Sequence, residues 1–170
     1  MGDVTKTSMG VCNVSFDSND LGYTKGFVKV EYTVETNPVE VDQEDSIIDE
    51  KITKQEMKVT VPLAEYDLER LAGFLPGTTY VPDATDPATK YKMVMTGSSG
   101  SGLRDLAKEL IIAPVGGGET EKLTLHHAAP IPNISFSYEK DNLKVFEITF
   151  KALVGTNGYV TWGDKTAVAA

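Results

Sequence analysis

The two histidines of the chain, His126 and His127, are the residues whose chemistry is most directly tested by spacing. As neighbours in a stretch that reads as extended, they point to opposite faces and do not share a metal ion. The segment 97–102, GSSGSG, is rich enough in glycine to cradle phosphate. It lacks the Lys-Ser/Thr ending of a P-loop and the spacing of a dinucleotide fingerprint, and so reads as a loop. Serines are plentiful, but no Gly-x-Ser-x-Gly elbow occurs and both histidines sit together, so no nucleophile is paired with a base. Carboxylates are abundant, with none singled out as a glycosidase-like pair. The lone Cys12 has no partner for an internal disulfide and reads as a small buried residue, which suits assembly in a reducing cytoplasm. No catalytic, cofactor or metal constellation emerges, and the chain is expected not to be an enzyme.

With so little chemistry to position, the elements themselves carry the information. At 170 residues the chain is expected to form one domain, 1–170. No apolar run is long enough to span a membrane and no export signal is evident, so neither is expected. Residues 27–36, FVKVEYTVET, alternate strictly. Val28, Val30, Tyr32 and Val34 occupy one face and Lys29, Glu31, Thr33 and Glu35 the other, the pattern of a half-buried strand. Residues 54–61 repeat it, with Met57, Val59 and Val61 inward and Lys54, Glu56, Lys58 and Thr60 outward. Ile134, Phe136 and Tyr138, then Phe146, Ile148, Phe150 and Ala152, predict a hairpin about the turn residues 139–142. An opening hairpin is expected from 11–16 and 21–26, joined by DSND at 17–20. After Pro62, Leu68, Leu71, Ala72 and Leu75 fall at helical spacing, with Glu65 and Asp67 at the start and Pro76-Gly77 as a stop. Residues 103–114 predict a short turn followed by a strand.

Two long connections remain, 37–52 and 76–102, and residues 156–170 are taken as a C-terminal tail. Between residues 37 and 51 lie six acids (Glu40, Asp42, Glu44, Asp45, Asp49 and Glu50) against Lys51, which is −5 of the total net charge of −9. Ile47 and Ile48 interrupt this acidic run, and apolar residues inside a charged loop suggest docking onto a partner. The net charge works against tight nucleic-acid binding, because phosphate neutralisation by Lys and Arg supplies most of that affinity.

Several segments together resemble the tail tube proteins of long, non-contractile (siphovirus-type) bacteriophage tails. They are GVCNVSFDSNDLGYTKGFVKVEY (10–32), VTVPLAEYDLERLAGFLPG (59–77), LAKELIIAP (106–114) and APIPNISFSYEKDNLKVFEITFKAL (129–153). The similarity spans roughly residues 9–155 and its motifs are structural. It implies a mainly-β sandwich with one short flanking helix and long inter-strand loops, six copies of which join edge to edge in rings that stack into a tube. The resemblance makes 37–52 the inter-ring loop, with Glu40, Asp42, Glu44, Asp45, Ile47, Ile48, Asp49 and Glu50 at its contacts. Lys29, Glu31, Thr33, Glu35, Lys54, Glu56, Lys58 and Thr60, with Glu147, Thr149 and Lys151, become candidates for the lumen wall. The partners implied are other copies of the chain, a tape-measure protein and terminator or tip proteins, with DNA only in passage. The implied location is the virion tail, assembled in the host cytoplasm.

The family is expected to have an electronegative lumen, whereas these three faces sum to −1, +1 and 0. Two alternatives share the fold class: an inner ring protein of a contractile tail or injection system, and a monomeric sandwich binding module. The module needs an exposed aromatic platform, for which Trp162 alone is a poor basis. On this reading Val30→Asp is expected to prevent folding and Glu31→Lys to leave the fold intact.

Overall fold

The structure, a computed structural model, describes residues 10–40, 46–65, 67–97, 102–135, 144–156 and 158–168. The fold is mainly β with one short helix, as the alternating patterns predict. Strand β1 (Cys12–Phe16) turns into β2 (Asn19–Asp20) through Asp17 and Ser18 at φ 52° and 66°. Two successive left-handed residues match a tight hairpin to the twist of its strands. The expected return arm at 21–26 is not a strand beyond β2. Leu21 instead drops into the core, and Thr24 makes a single bridge to Leu63.

Next come β3 (Lys29–Val39) and β4 (Asp49–Leu63), antiparallel partners along the full length of β3. Helix α1 (Leu68–Phe74) is shorter than its sequence pattern. The Asp67 carboxylate caps it, accepting from the N–H groups of Glu69 at 3.0 Å and Arg70 at 3.2 Å. Leu71 and Phe74 bury its inner face, and the Phe74 ring meets Phe16 edge-on at 5.9 Å. Residues 76–102, expected as a loop, instead contain a hairpin, β5 (Thr78–Pro82) and β6 (Tyr91–Met95). The expected turn and strand at 103–114 are a single 3-10 turn, Leu103–Leu106, followed by β7 (Lys108–Pro114). Strands β8 (Leu123–Ser135), β9 (Phe146–Ala152) and β10 (Val160–Trp162) complete the chain. The side chain of Ile134, and Phe136, Tyr138 and the turn at 139–142 entirely, lie outside the described residues.

The main sheet runs β2-β1-β7-β8-β9-β4-β3, with β10 on β8. Two strands separate β1 from β9, which in a flat sheet sets them about 14 Å apart. The Phe16 and Phe150 ring centroids are only 5.1 Å apart, so the sheet curls over and β1 with β7 faces β9 with β4. Val14, Phe16, Leu110 and Ile112 from one side meet Val59, Val61, Ile148 and Phe150 from the other, all buried. The result is a sandwich made by one folded sheet.

One expectation is corrected. The face of β3 that carries Val30, Tyr32 and Val34 is not buried: these residues are 38%, 54% and 39% exposed. Alternation assigns side chains to faces, but burial also needs a facing layer, and here it stops short of the edge strand. Val59, directly opposite Val30 in the ladder, is fully buried. The folding defect expected of Val30→Asp therefore belongs to Val59→Asp. In urea unfolding, Val59→Asp is expected to cost about 4 kcal/mol or more by burying an unpaired charge, and Val30→Asp less than about 1 kcal/mol. Equal losses at the two positions would contradict the uncovered edge.

Candidate functional site

Strand register collects the polar residues of β3, β4 and β9 on one face. Lys29, Thr60 and Thr149 form one row, and Glu31, Lys58 and Lys151 the next. Thr33 pairs with Glu56 and Glu35 with Lys54, while Glu147 lies opposite Pro62 further along. All seven candidate wall residues of β3 and β4, together with Lys54, Glu147, Thr149 and Lys151, thus share a single surface.

Ion pairs cover that surface. Lys29 Nζ lies 2.7 Å from Glu31 Oε1, and Lys54 Nζ lies 2.8 Å from Glu35 Oε1. Glu56 meets Lys54 at 3.3 Å, Lys151 at 2.9 Å and also Lys58. Thr60 and Thr149 hydroxyls are 3.2 Å apart, joining β4 to β9. Hydrogen bonds from Lys58 and Lys151 pull the Glu56 carboxyl down to about 2, against burial, which opposes this. Lys29 likewise lowers the Glu31 carboxyl, and Glu35 and then Glu56 raise the Lys54 ammonium.

On the opposite face of the same ribbon lies an apolar stripe. Between Glu35 and Thr36 the pairing shifts by one residue, leaving Thr53 as a bulge and setting Ile52 opposite Thr36. The extra residue moves Ile52 from the polar face to the face of Tyr32 and Val34. Ile52 is 60% exposed there, and with Thr53, Gln55, Val154 and Tyr159 it lines a shallow cleft. The Tyr159 hydroxyl accepts from the Met57 N–H at 2.8 Å, taking over where β9 pairing ends at Lys58. From Asp49 to Gln55, about 20 Å of strand at 3.3 Å per residue, β4 pairs only with β3 among the described residues.

The acidic connection is shorter than its sequence suggested. Asp49 and Glu50 belong to β4, opposite Val39 and Pro38, and the Glu50 carboxylate accepts from the Thr36 hydroxyl at 3.0 Å. Glu40, Ile47 and Ile48 are exposed at the tip, and Asp42, Glu44 and Asp45 lie outside the described residues. The histidines are well separated from this region in role: His126 Nε2 contacts the Thr161 hydroxyl at 2.7 Å, and the His127 ring fills the space left by Gly155. Among the described residues no group of three or more His, Cys, Asp or Glu is placed to hold a metal ion.

Sequence reasoning found the polar face. It missed Ile52, whose position depends on a bulge, and Val154 and Tyr159, which arrive from the far end of the chain. No family model matches the chain, and no curated protein matches its sequence.

The depressed Glu56 carboxyl has a definite sign. Its folded pKa of about 2 lies below the ordinary 4.5, so its stabilising contribution is complete above pH 4.5 and is lost as pH falls through 2. Urea midpoints of the wild type are expected to fall more steeply over that window than those of Glu56→Gln. Parallel acid limbs would show that the carboxylate does not hold the lysines in solution.

Proposed function

We propose that this chain is a structural subunit that polymerises into stacked rings, forming the tail tube of a long-tailed bacteriophage through which genomic DNA passes. The observation that carries the reading is the outer edge of β3, eleven residues with no strand paired to it among the described residues. Soluble monomers usually shorten, charge or cover such edges, because unpaired N–H and C=O groups recruit another strand. The other end of the same sheet follows that rule, closing on the two-residue β2. On β3 the bare edge is combined with exposed Val30, Tyr32 and Val34, so a neighbour would bury apolar side chains as well as complete the ladder.

An edge that meets a different surface on the next copy makes a head-to-tail contact, which closes into a ring when the rotation per subunit allows it. The ribbon formed by the ends of β3 and β4 supports stacking between rings. It extends away from the sandwich and ends in Ile47 and Ile48, each 52% exposed. The polar face of β3, β4 and β9 is the surface opposite the core, the side that a closed ring would turn to its lumen. A wall whose charges sum to zero holds no net attraction for phosphate.

The test is electron microscopy of the purified protein at high concentration, with light scattering on the same sample. Tubes or stacked rings of regular width are expected, and a folded protein that stays monomeric at every concentration would count against the reading. Replacing residues 40–48 by Asn-Gly retains the paired Asp49 and Glu50. That variant is expected to keep the wild-type melting temperature within a few degrees and to lose stacking. Normal tubes from it would remove the ribbon tip from the inter-ring contact.

A further inference from the structure

Four lysines, Lys29, Lys54, Lys58 and Lys151, stand on the polar face of β3, β4 and β9 up to the bulge at Thr53, and each touches a carboxylate of the same face. Three of them, Lys54, Lys58 and Lys151, converge on Glu56, whose side chain is only 12% exposed while its lysine partners are 33–50% exposed. Up to the bulge at Thr53 the face carries Lys29, Lys54, Lys58 and Lys151 against Glu31, Glu35, Glu56 and Glu147, a formal charge of 4 − 4 = 0, and beyond the bulge Lys51 and Asp49 fall on the same side and also cancel. One feature of the register would be unfavourable without Glu56. Lys58 and Lys151 are directly opposite each other across strands β4 and β9, where like charges repel. Glu56 bridges both ammonium groups and satisfies the Lys54 ammonium as well.

We infer that Glu56 is a charge clamp that keeps Lys54, Lys58 and Lys151 engaged within the sheet face and so denies them to the phosphates of a nucleic acid passing over it. A lysine contributes to nucleic-acid affinity by releasing counterions from phosphate. One already neutralised by a carboxylate must first break that contact, so its contribution is reduced. The clamp lets the strands keep their lysines, and the cross-strand ion pairs they make, without turning the face into a binding groove. A single buried-side carboxylate with three partners does this more economically than a wall of acids, because no uncompensated negative charge is left to repel its neighbours. The inference rests on the tube reading for its biological meaning, but the clamp itself is a property of the individual chain.

The experiment uses the full chain and a 20-base-pair DNA duplex as the probe, with binding followed by fluorescence anisotropy between about 20 and 200 mM salt. Glu56→Gln is expected to bind at least tenfold more tightly than wild type at low salt, with the salt slope steeper by about two for the freed Lys58 and Lys151, Lys54 keeping its Glu35 partner. Glu50→Gln makes the same charge change on the ribbon, away from those lysines, and is expected to stay within threefold of wild type. In the background Lys58→Gln with Lys151→Gln, the gain from Glu56→Gln is expected to fall substantially. A gain from Glu56→Gln no larger than that from Glu50→Gln overturns the clamp. If Glu56→Gln does not fold, the double lysine variant alone decides. It leaves wild-type affinity within threefold if the lysines are clamped, and a larger loss shows they already meet phosphate and overturns the proposal. Microscopy of the same samples separates the two readings: tubes without a Glu56 effect leave the assembly standing and the clamp overturned, while a Glu56 effect without tubes supports the clamp and removes the assembly.

Discussion

The register of β4 against β9 is the constraint on which the other features depend. Val59 faces Phe150 and Val61 faces Ile148, all four buried, and a slip of β4 by one residue would turn Val59 and Val61 outward. Burial of that set therefore fixes which side chains of β4 face away from the core. Lys58 is placed opposite Lys151 and Thr60 opposite Thr149 as a consequence, without any polar interaction having to select the register. The same strand continues past the end of β9, so a single fifteen-residue element is anchored in the sandwich at one end and free of it at the other. Met57 marks the transition, with its side chain buried and its N–H given to Tyr159 instead of to β9.

How much of this was legible follows from what each signal measures. Period-two alternation measures which residues share a face, and it placed Met57, Val59, Val61, Phe146, Ile148, Phe150 and Ala152 correctly in the core. It does not measure whether anything covers a face. The alternation of β3 is as regular as that of β4, yet Val30, Tyr32 and Val34 are left uncovered because the opposing layer ends first. Helix α1 was legible from its spacing, although Asp67, expected in its first turn, is its cap. The β5–β6 hairpin was not, since Thr78-Thr-Tyr-Val-Pro82 is short, ends in proline and lacks alternation. The bulge at Thr53 was equally invisible, because it is defined by pairing with Glu35 and Thr36 and not by its own residue type.

The candidate surface shows the same division. That Lys29, Glu31, Lys54, Glu56 and Lys58 lie on polar faces could be read from each strand alone, and so could a charge sum near zero. That Glu56 would gather lysines from its own strand and from β9 could not be, because Lys151 is 95 positions away and reaches Glu56 diagonally across the ladder. Charge counting along a strand yields the net field of a face, whereas register yields its local pairing, and the two carry different consequences for a polyanion.

A neutral face and an acidic face both avoid holding DNA, but they do so by different physics. An acidic wall repels at a distance set by screening, about 8 Å at physiological salt, and the same repulsion acts between its own carboxylates and between subunits carrying it. A paired wall presents little long-range field of either sign and relies on the occupation of its lysines at contact. It adds no electrostatic cost when copies of the face are brought side by side. On β3, β4 and β9 the Glu35–Lys54 pair and the Glu56 cluster cross from strand to strand, so the pairing that masks the lysines also ties neighbouring strands together. In an assembly built by joining these edges, the acidic excess of the chain is then best placed away from the face, and residues 40–50 are where the sequence concentrates it.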